Sequence, residues 1–269
     1  MPDYAKLLER HRPTAQGDEA GYAAVWREQA LVTADLVELA IVGGLLADRM
    51  AWVFVAGYQS ALRHTFPSIP MDGLAAFAVS EDRKGNPPLA GVQSHEHEGK
   101  LCVSGYKTWV ACSTTLAHLV IKANRGAAAQ YFCLPRQTPG LTLQDKHGTF
   151  LPEMSQGIAK LDRVATPAAL DQSAVASFGL RETLYIYLAF CAWAGIQGAA
   201  PEQCHGLILR LAALIRRLPV DAQELAELKA VDADVQALRE SISPRSVAGW
   251  QADQRLIAMY SPGIQKRQL

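Results

Sequence analysis

FAVSEDRKGNPPLAGVQSHEHEGKLCVSGYKTWVACSTTLAHLVIKA, residues 77–123, decides the fold, because it reads as sheet in a chain that otherwise reads as helix. Short apolar runs at 74–79, 101–103, 108–112 and 117–121 alternate with Gly, Pro, Asn and Ser, the pattern of strands between turns. Pro87 and Pro88 donate no ladder hydrogen bond, so 82–88 is a loop. Gly105-Tyr106-Lys107 reads as a turn feeding a strand that begins at Trp109. His95 and His97 share a face if their segment is a strand, but two imidazoles alone leave a metal site incomplete. A solvated hairpin is therefore the preferred reading, and no metal site is expected. Trp109 is either core or a flat platform for another ring, and the residues alone leave both open.

Helices flank this stretch on both sides. In 18–42, Tyr22, Val25, Trp26, Gln29, Leu36, Leu39 and Ala40 fall near helical spacing, and Gly43-Gly44 reads as the break before a second helix at 45–64. Met50, Trp52, Val53, Phe54, Val55 and Leu62 make that second helix apolar on most faces, the mark of a buried one. Residues 1–17 read as a short helix and a polar connector. Downstream, 175–197 is a helix whose aromatic residues, among them Phe178, Tyr185, Tyr187, Phe190 and Trp193, are expected to be core rather than cofactor contact. Pro201 suits the first turn of the next helix, which runs to 217. Leu218-Pro219-Val220-Asp221 stops it, and Asp221 caps a third helix at 222–242 whose charges mark a solvated face. A last helix is expected at 246–260. The resulting class is α+β, with N-terminal helices in 1–72, a central antiparallel β-domain in 73–174 and a C-terminal antiparallel helix bundle in 175–269.

Composition narrows the partners. Lys plus Arg equals Asp plus Glu at 26 each, so charge makes no case for nucleic acid or an anionic membrane. The five cysteines, Cys102, Cys112, Cys133, Cys191 and Cys204, are odd in number, scattered and without a CxxC pair, which argues against zinc and disulfide frameworks. No secretory h-region opens the chain and no apolar stretch reaches a membrane span, so a reducing, cytoplasmic location is expected.

The residues Ala78-Val79-Ser80-Glu81-Asp82, then Gly85-Asn86-Pro87, then Ser104-Gly105-Tyr106-Lys107-Thr108-Trp109-Val110-Ala111, followed by Ala117-His118-Leu119-Val120-Ile121, have a specific order and spacing. This series resembles the central β-domain of the acyl-CoA dehydrogenases, which are FAD-dependent flavoenzymes. That family shows Thr-Glu-Pro, two residues and Gly-Ser-Asp, then a hairpin, then Asn-Gly-x-Lys-x-Trp-Ile-Thr and an Ala-Asp pair before an apolar strand. Residues 148–167 look like the strand pair that closes the family's β-domain, and 66–73 like its connector into that domain. The resemblance covers roughly 100 residues. It implies the family's architecture, shortened at both ends.

The resemblance also implies a site. Phe77, Val79, Ser80, Trp109 and Ala111 stand where the family contacts the flavin ring. Ser80 keeps a hydroxyl in place of threonine, whereas Ala111 replaces a threonine without one. Asn86 replaces the serine and Pro87 the aspartate of a loop near FAD phosphate and acyl-CoA, which makes Asn86 a substrate-binding candidate. The family reaction oxidises the Cα–Cβ bond of an acyl thioester, using a glutamate base, and passes electrons to a flavoprotein acceptor. The usual base loop has no counterpart, since 241–250 contains no carboxylate. Glu182 on the first bundle helix is the alternative base, set against a simpler role as a helix-start glutamate favourable to the dipole. The family's Arg-x-x-Phe-Gly segment and Gly-Gly-x-Gly adenine loop have no clear counterpart. Glu81 is expected to be structural. Homo-oligomerisation is implied as well. Two alternatives stand beside the dehydrogenase reading: a non-catalytic partner subunit or acyl-binding module, and a flavoprotein of the same fold with different oxidation chemistry.

Overall fold

Caps, prolines and close backbone approaches decide where the elements begin and end. The computed structural model describes residues 4–268 except Thr14, Ala34, His147, Pro219, Val220, Arg245, Ser246 and Ala248. Helices α1 (Tyr4–Arg10), α2 (Glu19–Val32), α3 (Leu36–Leu46) and α4 (Met50–Thr65) come first. Strands β1 (Ala75–Ala78), β2 (Gln93–His97), β3 (Lys100–Ala111), β4 (His118–Ala123), β5 (Gln130–Pro135), β6 (Leu141–Lys146) and β7 (Gln156–Ala165) follow. The chain then returns to helix in α5 (Phe178–Ile196), α6 (Pro201–Arg216), α7 (Ala222–Ser241), α8 (Trp250–Asp253), α9 (Arg255–Ala258) and α10 (Ser261–Gln265). The α+β class holds, with helices at both ends and sheet between them.

Two compact units emerge. The first gathers α1, the end of α2, α3, α4 and α5 to α10. Its axis is α5, buried from Thr183 to Ala194 and packed by α3, α4 and α6. Phe190, Trp193 and Trp250 stack in its core, with ring centroids 5.7–6.1 Å apart. Tyr185, Tyr187, Phe190 and Trp193 of α5 are core, as expected, whereas Phe178 at its start is half-buried. Pro201 opens α6, and Asp221 and Glu224 close a reciprocal capping box at the start of α7.

The second unit comprises Asp18–Arg27 and residues 66–176. One sheet has the order β1-β4-β5 and the other β2-β3-β7-β6. The four-stranded sheet is antiparallel throughout, and β1 with β4 is the one parallel pair among the described strands. Glu98 and Gly99, both at positive φ, turn β2 into β3, so His95 and His97 lie on the first strand of a hairpin. Glu19 at the start of α2 accepts hydrogen bonds from Thr114, Thr115 and Ser155, which ties that helix to the β-strand connections.

Several expected boundaries are corrected. The expected helix at 18–42 is two helices, because Asp35 accepts from the Val37 and Glu38 N–H groups and starts a new one. Gly43-Gly44 lies inside α3 rather than breaking it. A Cβ at Gly44 would run into the Ala189 backbone, so the glycine permits close helix packing. The next helix consequently starts at Met50, not at 45. The run 101–103 and residues 108–111 of the next run belong to one strand, β3, and Cys112 lies just beyond it. Gly105, at φ +132, is not a turn: a Cβ there would lie 2.5 Å from the Gly91 carbonyl oxygen, so the glycine lets Gly91 pass close by. The closing strand pair is β6 with β7, and 148–155 mainly connects them. The expected helix at 246–260 is the short pieces α8 and α9 before α10, with Ser246 and Ala248 outside the described residues. Pro219 and Val220 of the expected stop also lie outside them.

The helical unit makes a direct prediction. A Cβ at Gly57 would lie 2.5 Å from Ile186 Cα and N. Backbone cannot yield as a side chain does, so Gly57→Ala destabilises the protein by about 1–3 kcal/mol, read as a lowered urea midpoint.

Candidate functional site

The end of β1 supplies the first part of the site. Beyond Ala78 the chain leaves its sheet, and the Ser80 carbonyl accepts a hydrogen bond from Thr108 N–H at 2.9 Å. That bond joins two segments far apart in sequence and sets Ser80 beside the strand that carries Trp109. Between Lys107 and Val110, β3 holds one residue more than its partner β7, a bulge of the kind that re-aims a side chain. Trp109 is only partly buried, and its indole N–H donates to Gln156 Oε1 at 3.1 Å. Gln156 in turn donates from Nε2 to the Phe150 carbonyl at 2.6 Å, which holds the amide and through it the indole.

A cavity of about 710 Å³ opens at this edge, with Val79, Ser80, Glu81, Arg83, Lys122 and Arg125 in its lining. Val79, one residue beyond the buried β1, is 44 % exposed and faces this cavity. Asp82 shapes the adjoining loop by accepting from the N–H groups of Leu89, Lys84 and Gly85, which hold its carboxyl below the usual range.

Electrostatics at the cavity centre on Glu81. Its Oε1 meets Lys107 Nζ at 2.7 Å and its Oε2 meets Arg125 Nη2 at 2.7 Å. Lys107 is fully buried in β3. Burial pushes the Glu81 carboxyl up, but the bonds from Lys107 and Arg125 outweigh it and hold the carboxyl below its ordinary value. Glu81 is thus held by ion pairs on both oxygens, and the second oxygen reaches a cavity residue.

The expected site residues divide. Val79 and Ser80 line the cavity, and Trp109 adjoins them through Thr108. Phe77 is core, packed against Phe66 and Tyr131 with ring centroids 5.3 and 5.8 Å away. Ala111 is also fully buried. Asn86 is exposed on the loop and outside the cavity lining. Sequence reasoning passed over Lys107, Lys122 and Arg125. The available signal was Lys107, a charge inside an apolar strand, which demands a buried partner.

Glu182 belongs to the helical unit, as the fifth residue of α5. Burial pushes its carboxyl up to about 7. A helix-dipole role would lower that value, so desolvation governs this glutamate instead. It lies near enough to Tyr260 to help raise that phenol. Among the described residues no helix is long and apolar enough to cross a membrane, and no group of three His, Cys, Asp or Glu is placed to hold a metal.

The ion pair carries a prediction. Glu81→Gln leaves the Lys107 ammonium buried without a carboxylate, and the expected loss is about 3–5 kcal/mol at pH 7 in urea unfolding. Because the folded carboxyl titrates below its unfolded value, its stabilisation is complete above about pH 4.3 and fades as the pH falls through the lower folded value. The difference between wild type and variant therefore shrinks below about pH 4.

No family model matches the chain, and no curated protein matches its sequence. Solved structures do match its fold. A crystal structure of an FAD-dependent dehydrogenase aligns with TM-score 0.63 at 14% identity, over 99% of this chain and 96% of that one. Butyryl-CoA dehydrogenase from Megasphaera elsdenii aligns with TM-score 0.56 at 12% identity, over 98% and 97%. A glutaryl-CoA dehydrogenase from Mycobacterium smegmatis in complex with FADH2 aligns with TM-score 0.54 at 13% identity, over 96% and 89%. This chain has the fold of the acyl-CoA dehydrogenases and related FAD-dependent dehydrogenases.

Proposed function

We propose that the protein is an FAD-dependent oxidoreductase that oxidises the Cα–Cβ bond of an acyl thioester. The observation that carries this reading is the Thr108–Ser80 backbone bond, which sets an exposed valine and a serine hydroxyl beside a strand bearing a partly open, hydrogen-bonded tryptophan. The exposed Val79, the Ser80 hydroxyl and the Trp109 ring fixed through Gln156 together offer a surface that suits a flat ligand.

The residues present fit the ring half of FAD. Val79 offers apolar surface, Ser80 a hydroxyl, and Trp109 a flat aromatic edge. Phe77 and Ala111 contribute through their place in the core of the unit, not by contact from an open face. FAD, when bound, supplies the two-electron acceptor for the β-hydride. On its titration, Glu182 of the helical unit is the base the proposal assigns to the α-proton. A carboxyl titrating at about 7 is half ionised at neutral pH and is a stronger base than an ordinary glutamate, the compromise a general base requires. The acyl-CoA substrates and FAD named for the fold neighbours support the substrate class and cofactor proposed here. An electron-accepting flavoprotein and a homo-oligomeric assembly complete the reading.

The test is the visible absorption of the protein after addition of excess FAD and desalting, followed by a panel of acyl-CoAs. A retained oxidised-flavin spectrum that bleaches with an acyl-CoA is expected. Glu182→Gln keeps the spectrum and slows bleaching by about 100-fold or more. In the wild type the bleaching rate rises with pH through about 7 as Glu182 ionises. A protein that holds no flavin overturns the reading and leaves a non-catalytic acyl-binding role. Flavin without bleaching by any acyl-CoA moves it to another oxidation chemistry. A second check is stability. At pH 4 Glu182 is protonated in both folded and unfolded chains, so Glu182→Gln changes little. Above pH 7 the wild type carries a desolvated carboxylate, and the variant melts at the higher temperature.

A further inference from the structure

A ring platform does not account for the charge around the cavity. Arg83, Lys122 and Arg125 line it, and Lys107 stands one ion pair behind. Against these four cations are two carboxylates, and both are engaged. Asp82 is taken by three backbone N–H groups, and Glu81 by Lys107 and Arg125. Excess positive charge therefore remains for a ligand.

Arg125 is the informative cation. Its side chain is 72% exposed, a state in which an arginine ordinarily samples many rotamers. Here Nε at 3.1 Å and Nη2 at 2.7 Å both donate to the single oxygen Oε2 of Glu81. The other oxygen is held at 2.7 Å by the buried Lys107. Glu81 is thus pinned from behind by a charge locked inside β3. Gly91 leaves the room for this: a Cβ there would lie 2.5 Å from Glu81 Oε2. Gly105 in turn admits the Gly91 backbone.

We propose that Glu81 is a positioning residue for an anion: anchored on Lys107, it holds the Arg125 guanidinium at the cavity so that, with Lys122, it receives a phosphate group of the ligand. A planar guanidinium fixed by one edge still presents its remaining N–H groups, and phosphate oxygens accept them with charge assistance. The phosphate belongs either to FAD or to a CoA thioester. The inference rests on the flavoenzyme reading only for that identity.

Binding of inorganic pyrophosphate, CoA and FAD to the full-length protein, each measured by calorimetry, tests the proposal. Arg125→Gln weakens the phosphate-bearing probe by about tenfold, the worth of one charge-assisted hydrogen bond. Glu81→Gln alone strands a buried ammonium, so the informative variant is E81Q/K107M, which removes the pair together and leaves the net charge unchanged. It weakens binding by about fivefold. Adding R125Q to it gives a triple variant no weaker than R125Q alone, because Glu81 acts through Arg125. Net charge alone predicts no loss for the double variant, and a merely structural role predicts losses that add in full. Either result overturns the proposal, as does a wild type that binds none of the probes. Binding of CoA without FAD assigns the phosphate to the thioester carrier, and binding of FAD alone assigns it to the cofactor. A protein that takes CoA or pyrophosphate but retains no flavin overturns the flavoenzyme reading and leaves this one standing.

Discussion

The ammonium of Lys107 is the constraint from which the β-strand unit can be read outward. It lies fully buried near the middle of β3, with β7 alongside. An unpaired charge there is costly, so a carboxylate must reach it. Glu81 does so from just beyond β1, a strand of the other sheet. The same short segment passes its Ser80 carbonyl to Thr108 N–H. An ion pair and a backbone bond, one residue apart on each strand, thus tie the ends of two sheets together. What is left outside that tie is Val79 on one side and the Arg125 guanidinium on the other. The open surface of the cavity thus adjoins the place where the buried charge is satisfied.

Glycine carries much of the remaining geometry, and it shows where sequence reading stops. Gly43-Gly44 and Gly105 were natural places to end an element, because glycine is the usual residue of turns. In the structure Gly44 makes room for Ala189 and Gly105 makes room for Gly91. The meaning of each glycine depends on a partner that local sequence does not reveal, in one case more than 140 residues away. By contrast, Pro201 and the Asp221–Glu224 pair act within their own turn, and the helices they start were legible. The apolar runs of β1 and β4 were legible for the same reason: each strand's burial is written in its own residues.

The candidate site divides along that line too. Val79, Ser80 and Trp109 were singled out because their order resembles a known pattern, and the Thr108–Ser80 bond sets them on neighbouring segments. Phe77 and Ala111 share the pattern, yet their side chains face the core. Alternation along a strand sends neighbouring residues to opposite faces, and the bulge after Lys107 shifts that alternation by one. Arg125 carries no pattern of its own. It became visible only when β4 and the end of β1 were in place and Glu81 was seen to have a second oxygen to share.

Glu182 was singled out by resemblance as a candidate base, set against a plain helix-dipole role, and its environment speaks against the dipole role. Its position near the start of α5 invites a dipole argument, which would favour the carboxylate. Burial disfavours the carboxylate and moves the titration to about 7. The two effects differ in sign, so the environment, not the helix position, decides what chemistry the glutamate can do. At 12–14% identity to the solved structures it resembles, few residues are shared, so the arrangement of the elements and not residue identity carries the likeness of fold.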